Sequence, residues 1–357
     1  MIIDKSKIQK ILVIKFGGIG DILLTTPILP NLKDYFPKAE INFLTLRHSR
    51  DILIDNPYLT RAFTYDPSED KSWCLIKNIR KQNYDLVIDL FGNPRTALIT
   101  FLSTARYRFG FNFRGRKYAY NIKAKGRGGE VHNVEFNLDA LRALEIPIVS
   151  KELYLPVNIV HEEFADEFIK ANNLVSKKII GISKTGGWET KRYKVNDYID
   201  LINRLNSIYD INFVLFWGNQ KEKEDCEYIK SKITKSNAYL IPDSPIKYLG
   251  AIIKKCDMVI GNDSGPLHIA VAMGVPTLGI YGPTNPKLQG PYGENNLSIV
   301  NDNLDCLYCN LLECPIGNIC MTELSKEKII DKVKELIRIN GIRISALAET
   351  GEVKNNF

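Results

Sequence analysis

Apolar residues along this chain fall into short, almost unbroken runs separated by stretches of helical periodicity. Runs at 11–16, 41–46, 62–65 and 85–89 read as strands, with helical stretches near 70–82 and 93–103 between them. A helix is also expected after the first run, through Leu23, Leu24, Ile28 and Leu32, with Pro27 and Pro30 disturbing its start. Val134, Leu138, Leu141 and Leu144 recur at helical spacing and close the first half. Strands that are apolar on both faces belong to parallel sheets covered by helices on either side, so the alternation predicts an α/β protein.

Between about 146 and 157 the pattern lapses into a proline-punctuated connection, read as an interdomain linker. The alternation then restarts, with strands at 178–183, 212–217, 238–241, 258–260 and 277–281. Helices are expected at 195–209, 220–233, 245–254 and 325–339, and the last fifteen or so residues read as a frayed tail. Two doubly wound halves follow, divided as 1–150 and 151–340 with a tail at 341–357. Ligands on such sheets sit at the carboxyl ends of strands, and the cleft between the halves is the default site.

A hydrophobic content of 45% with 25% charged residues is that of a globular protein. The longest uncharged run, 264–286, is broken repeatedly by proline and glycine and cannot span a membrane. The N-terminal stretch lacks the features of a signal peptide, so a cytoplasmic location is expected. The net charge of +7 is unevenly placed. No acidic residue occurs between Leu90 and Gly129, where Arg95, Arg106, Arg108, Arg114, Arg116, Lys117, Lys123, Lys125 and Arg127 alternate with aromatic residues. Such a segment suits nucleic acid, an anionic membrane surface or a phosphorylated substrate, or is simply a solvated basic loop. No nucleic-acid fold signature accompanies it.

The run 258–260 stops at Gly261-Asn262-Asp263-Ser264-Gly265 and turns straight into a helix through Leu267, His268, Ile269 and Ala270. A helix start of this kind offers unpaired N–H groups and a positive dipole end, which favour phosphate. Asp263 or Ser264 suits the N-cap position, and His268 lies on an otherwise apolar face, where most histidines are structural. The first strand ends similarly, at Gly17-Gly18-Ile19-Gly20-Asp21. Leu23 occupies the third small-residue position of the dinucleotide fingerprint, so that reading is weak, and no P-loop is present. Asp21 is either the cap of the next helix or a carboxylate facing the ligand; position alone leaves both open. The sequence has no Asp-x-Asp pair to grip a metal-bound diphosphate. N–H groups at 263–267 with Lys191 and Arg192, just after the loop 183–188, are able to neutralise one instead.

Cys74, Cys226 and Cys256 fall in predicted elements and read as small hydrophobes. Cys306, Cys309, Cys314 and Cys320 share one loop. Their spacing is able to hold structural zinc but lacks the paired CxxC…CxxC form; reduced thiols or a redox-labile pair are the alternative.

Residues 15–27, Lys-Phe-Gly-Gly-Ile-Gly-Asp-Ile-Leu-Leu-Thr-Thr-Pro, and the stretch 262–284 closely resemble the lipopolysaccharide heptosyltransferases of glycosyltransferase family nine. The cysteine loop ending in Cys320-Met321 looks like that of heptosyltransferase II–type members, and the resemblance runs from about 10 to 338. It implies a GT-B fold, with a Rossmann-like acceptor-binding domain and a Rossmann-like donor-binding domain facing across a cleft. It further implies inverting transfer from a nucleotide sugar, typically ADP-heptose, with no metal required. By resemblance Asp21 is the general base and Lys191 contacts the donor phosphates. Asp263, Ser264, Gly265, Leu267 and His268 hold the diphosphate, with Gly18, Gly20, Thr185 and Arg192 completing the donor site. Glu222, or else Glu224, contacts the nucleoside. Arg114, Arg116 and Lys117 are expected to receive a phosphorylated, lipid-linked glycan at the inner leaflet of the inner membrane, with no role for nucleic acid. One departure stands out: many members carry Pro-Gly-Ala where this chain has Ser183-Lys184-Thr185, in a loop that lines the nucleotide pocket. The rival readings are a family-nine enzyme with another nucleotide sugar and surface glycan, and a non-catalytic nucleotide-sugar-binding protein.

Overall fold

The computed structural model describes residues 3–347 and divides into two compact units, 1–156 and 157–357. Each is built on a six-stranded sheet in which every pairing is parallel.

In the first unit the strands are β1 (Lys10–Ile14), β2 (Glu40–Leu46), β3 (Arg61–Tyr65), β4 (Leu86–Asp89), β5 (Tyr107–Phe111) and β6 (Ile122–Ala124), in the order β3-β2-β1-β4-β5-β6. The helices are α1 (Ile19–Leu23), α2 (Ile28–Tyr35), α3 (Ser72–Lys81), α4 (Pro94–Leu102) and α5 (Asn133–Ala143). The prolines explain the first pair: Pro27 sits at the cap of α2, so one expected helix becomes two. Leu12, Ile14, Leu44 and Val87 are completely buried with Ile79 and Ile99 of the covering helices. Sheet order reverses between β1 and β4, the topological switch point.

The second unit repeats the plan with β7 (Lys178–Ser183), β8 (Ile211–Phe216), β9 (Ala238–Leu240), β10 (Met258–Asn262), β11 (Thr277–Ile280) and β12 (Leu297–Ile299), ordered β12-β11-β10-β7-β8-β9. Its helices are α6 (Ile159–Ala171), α7 (Val195–Ile208), α8 (Gln220–Lys232), α9 (Ile246–Lys254), α10 (Gly265–Ala272), α11 (Pro286–Gln289), α12 (Ile319–Thr322) and α13 (Lys326–Ile339). All six residues of β8 are buried, as a strand covered on both faces requires. Here the switch point falls between β7 and β10.

The sequence pattern passed over several of these elements. β5 and β6 lie inside the basic, aromatic segment, where Arg108 and Lys123 interrupt the apolar run. Helix α6 follows the proline-punctuated stretch directly, capped by Asn158, and packs on α9 with Tyr248 edge-on to His161 and Phe164. Residues beyond 150 stay with the first unit, where the Tyr154 N–H donates to Thr26 Oγ1 at 2.9 Å. Of the stretch read as a tail, residues up to 347 return to α7, with Tyr209 bridging Ala346; residues 348–357 lie outside the described residues. No helix among the described residues is long and apolar enough to cross a membrane.

Candidate active site

In the second unit the loops after β7 and β10 meet at the switch point. Asn262, the last residue of β10, is fully buried and holds this junction together. Its Nδ2 donates to the carbonyls of Lys184 (2.7 Å) and Thr185 (3.3 Å). Its Oδ1 accepts from Tyr198 Oη (2.9 Å) and the Tyr193 N–H (3.2 Å). One amide therefore fixes both ends of the connection between β7 and α7 to the end of β10, and Gly261 allows the close approach. A Cβ at Gly261 would lie 2.7 Å from the Ser183 carbonyl oxygen.

Ser264 is the N-cap of α10, but its hydroxyl makes no capping bond. It lies 3.3 Å from Ser183 Oγ, which in turn lies 3.0 Å from Thr185 Oγ1. Three hydroxyls thus line the junction in front of the helix start, a set of donors suited to anionic oxygens. Gly265 begins α10. The Leu267 side chain is fully buried against the sheet, and His268 is buried beside it on the helix.

Lys191 and Asp263 meet at this junction. The Lys191 ammonium lies 2.6 Å from Asp263 Oδ2, and both side chains are buried. The same carboxylate oxygen accepts from Thr284 Oγ1 at 2.8 Å. Lys191 also stands over the Trp188 ring, 3.8 Å from its centroid. The Trp188 indole N–H is buried with no hydrogen-bond partner among the described residues. A buried, unpaired donor is costly unless a ligand satisfies it. Arg192 turns back on the loop, donating twice to the Gly186 carbonyl (2.9 and 3.2 Å), so its guanidinium shapes the 184–188 turn.

Glu222 is buried in the first turn of α8, where Oε2 accepts the Gly218 N–H at 2.9 Å. Glu224, two residues on, only takes up Gln220 Nε2 on the exposed side (3.2 Å). Lys184 is buried and pairs with Asp225 of α8, which ties the β7 loop to that helix.

In the first unit, Asp21 occupies the first turn of α1 with an exposed side chain. Its Oδ2 accepts the Gly18 N–H at 3.0 Å, and Gly20 contributes its carbonyl to the Leu24 N–H. Gly17 has φ +150°, and a Cβ there would stand 2.6 Å from the Cβ of Asp21, so only glycine allows this turn. Behind Asp21 lies Lys15, whose pKa is lowered by burial and partly restored by the charges of Asp21 and Asp89. Asp89 ends β4 fully buried and accepts from Tyr120 Oη (2.7 Å) and the Gly92 N–H (2.9 Å). Burial raises its pKa, with those hydrogen bonds opposing the shift.

The basic segment divides by role. Arg108 donates to the carbonyls of Ala105 and Ala119, and Arg127 pairs with Asp139; both are structural. Arg114 and Lys117 are exposed, and half-buried Arg116 stands over the Phe113 ring at 5.8 Å. Exposed Phe101 and Tyr118 pack edge-on beside them, 5.7 Å apart.

Cys226 and Cys256 are buried, and burial pushes the Cys226 thiol up to about 12. Cys74, read from the sequence as a small hydrophobe, is instead exposed, because α3 buries the face that carries Leu75, Ile76 and Ile79. Cys306, Cys309, Cys314 and Cys320 gather around one small cavity, although no three His, Cys, Asp or Glu side chains among the described residues stand in a metal-ligating arrangement.

The sequence had pointed to Asp21, Lys191, Asp263 and Ser264. Asn262, Lys15, Asp89, Trp188 and Lys184 escaped it. Asn262 stood inside the motif itself, and a buried asparagine ending a central strand was the signal available.

Comparison with known proteins bears on this arrangement. The sequence model described as glycosyltransferase family 9 (heptosyltransferase) matches residues 72–320. Lipopolysaccharide heptosyltransferase 1 of Campylobacter coli is 25% identical over 348 residues, spanning 92% of this chain and 99% of that protein. Lipooligosaccharide heptosyltransferase 2 of Campylobacter jejuni is 29% identical over 338 residues, spanning 90% and 96%. Among solved structures, the ADP-heptose lipopolysaccharide heptosyltransferase II of Escherichia coli superposes with a TM-score of 0.73 at 19% identity, covering 93% of this chain and all of that one. The two six-stranded parallel sheets are thus those of the GT-B fold.

Proposed function

The chain belongs to glycosyltransferase family 9, the heptosyltransferase family, and from that premise we propose that it moves a heptose or related sugar from an ADP-sugar to a lipid-linked lipopolysaccharide core acceptor. The observation that carries this reading is the buried Lys191–Asp263 pair at the start of α10, beside the hydroxyls of Ser183, Thr185 and Ser264. A cation, a helix start and a linked set of hydroxyls at a switch point suit a diphosphate. The names of the relatives point the same way.

In this mechanism Asp21 takes the proton of the acceptor hydroxyl as that oxygen attacks the anomeric carbon. The bond to the diphosphate breaks on the opposite face, so the configuration inverts. The electron pair leaves with the diphosphate, whose charge is met by Lys191, by N–H groups at Gly265 and its neighbours, and by the Ser264 and Thr185 hydroxyls. Trp188 Nε1 donates to the same ligand, which accounts for its buried, unpaired state. Asn262 and Arg192 hold the loops that present these groups. Glu222 receives the nucleoside at the end of β8. These cations and dipoles carry the leaving-group charge without a metal ion, in keeping with a sequence that has no Asp-x-Asp pair.

Arg114, Arg116 and Lys117 meet the phosphates of the acceptor, which places the enzyme at the inner face of the cytoplasmic membrane. The exposed rings of Phe101 and Tyr118 suit that surface. By this assignment the acceptor belongs to the first unit, 1–156, and the donor to the second, from 157 on. Calorimetric titration with ADP, UDP and GDP tests the donor assignment. ADP should bind most tightly; binding of UDP or GDP with ADP inert would transfer the reading to another nucleotide sugar.

A further inference from the structure

Residues 306–320 form a long segment with almost no regular structure and little core of its own. Leu311, Leu312 and Ile316 are exposed, and Tyr308, Asn310 and Asn318 hold left-handed backbone conformations that non-glycine residues adopt at a cost. Despite this, the chain doubles back so that Cys306, Cys309, Cys314 and Cys320 line one cavity of about 60 Å³ with Pro283 and Thr190. All four are free thiols. Rotation of each side chain between staggered wells re-aims its sulfur, so a shared cavity matters more than the present sulfur positions. Four cysteines lining one small, partly open cavity supply the sulfur ligands that zinc and similar thiophilic divalent cations take in tetrahedral sites.

The loop is tied to both flanks of the Lys191–Asp263 pair. Thr190, which precedes Lys191, donates from Oγ1 to the Leu311 carbonyl at 2.7 Å. The Asn310 N–H donates to the Pro283 carbonyl at 2.9 Å, and the next residue, Thr284, is the one that holds Asp263. Gly282 packs so closely that a Cβ there would stand 2.7 Å from Cys320 Sγ.

We propose that Cys306, Cys309, Cys314 and Cys320 form a structural tetrathiolate site for a divalent metal, zinc foremost, which braces the Lys191–Asp263 pair from both sides. The metal site stands on the cavity and its thiols; the bracing of donor binding rests on the donor reading above. Each metal–thiolate bond requires loss of the thiol proton, so loading should release protons and depend on pH.

The test uses the full chain purified anaerobically with zinc and iron available. Metal per chain is measured by mass spectrometry, thiol reactivity before and after chelation, and ADP affinity by calorimetry, for the wild type and for Cys314→Ser and Cys314→His. The expected result is about one metal ion per chain, with four thiols becoming reactive only after chelation. Cys314→Ser should lose the metal and weaken ADP binding about 10-fold or more, while Cys314→His should retain both. A wild type with no stoichiometric metal, and with these thiols freely reactive throughout, would overturn the site. Metal present but removable without change in ADP affinity would overturn the bracing. If instead Lys191→Met also leaves ADP affinity unchanged, the donor reading has failed while the metal count stands on its own.

Discussion

Replacing Lys191 by methionine keeps the length and packing of the side chain but removes its charge. Asp263 would then be left buried, with Thr284 as its remaining hydrogen-bond partner. Stripping one partner from a buried ion pair costs about 3–5 kcal/mol. At roughly 2–4 °C per kcal/mol for a unit of this size, the melting temperature should fall by about 6–20 °C. Loss of a charge-assisted hydrogen bond to the donor diphosphate should cost a further 1.5–3 kcal/mol or so in binding, roughly a 10- to 150-fold rise in the Kd for ADP. A second substitution separates the two effects. Lys191→Met combined with Asp263→Asn leaves no buried unpaired charge, so most of the lost stability should return, while ADP binding stays weak. Thermal unfolding and ADP calorimetry on wild type, both single variants and the double variant complete the cycle. If the double variant recovered both stability and ADP affinity, Lys191 would be a structural partner of Asp263 with no hold on the donor. A single variant that melted with the wild type would refute the buried pair itself.

Further outcomes follow from the same geometry. Asp21→Asn should lower turnover by about 10²–10⁴-fold and leave the Kd for ADP unchanged; near-normal single-turnover rates would remove Asp21 from the role of base. Trp188→Phe keeps the ring under Lys191 but deletes the indole N–H, and should weaken ADP binding by about 1–3 kcal/mol without loss of melting temperature. Asp89 supplies a pH signature. Its folded pKa lies above its unfolded value because it is buried, so its contribution is greatest below the ordinary carboxylate range and is lost as pH rises through the raised folded value. Chemical denaturation of wild type and Asp89→Asn should therefore diverge with rising pH, the variant gaining relative stability; parallel pH curves would contradict the burial argument. Charge reversal at Arg114 and Arg116 should weaken binding of a phosphorylated acceptor and flatten its salt dependence, as seen by titration at several ionic strengths.

Much of the architecture could be read from the chain because central parallel strands are apolar on both faces. β8, with every residue buried, is the plainest case. Elements whose apolar pattern is interrupted or masked were harder. In β5 the apolar positions alternate with Arg108, whose charge turns inward to the carbonyls of Ala105 and Ala119, a use that no local pattern reveals. α6 was hidden because its cap, Asn158, follows a run of prolines that reads as linker. At the site, the glycine turns and the helix start at Ser264 were legible since strand-to-helix turns carry their own residue preferences. The partnership of Lys191 with Asp263 was not, for it joins residues far apart in sequence through the fold. The same holds for Asn262, whose four hydrogen bonds reach three segments. Trp188 became informative only once its indole N–H proved to be buried without a partner.

The most direct measurement is transfer itself, with the purified enzyme, a lipopolysaccharide core acceptor and a panel of ADP-, UDP- and GDP-sugars, with no magnesium or manganese added. The account predicts a heptosylated product from ADP-heptose alone, with the anomeric configuration inverted when read by NMR. Transfer from a UDP- or GDP-sugar with ADP-heptose inert, or a product of retained configuration, would contradict it.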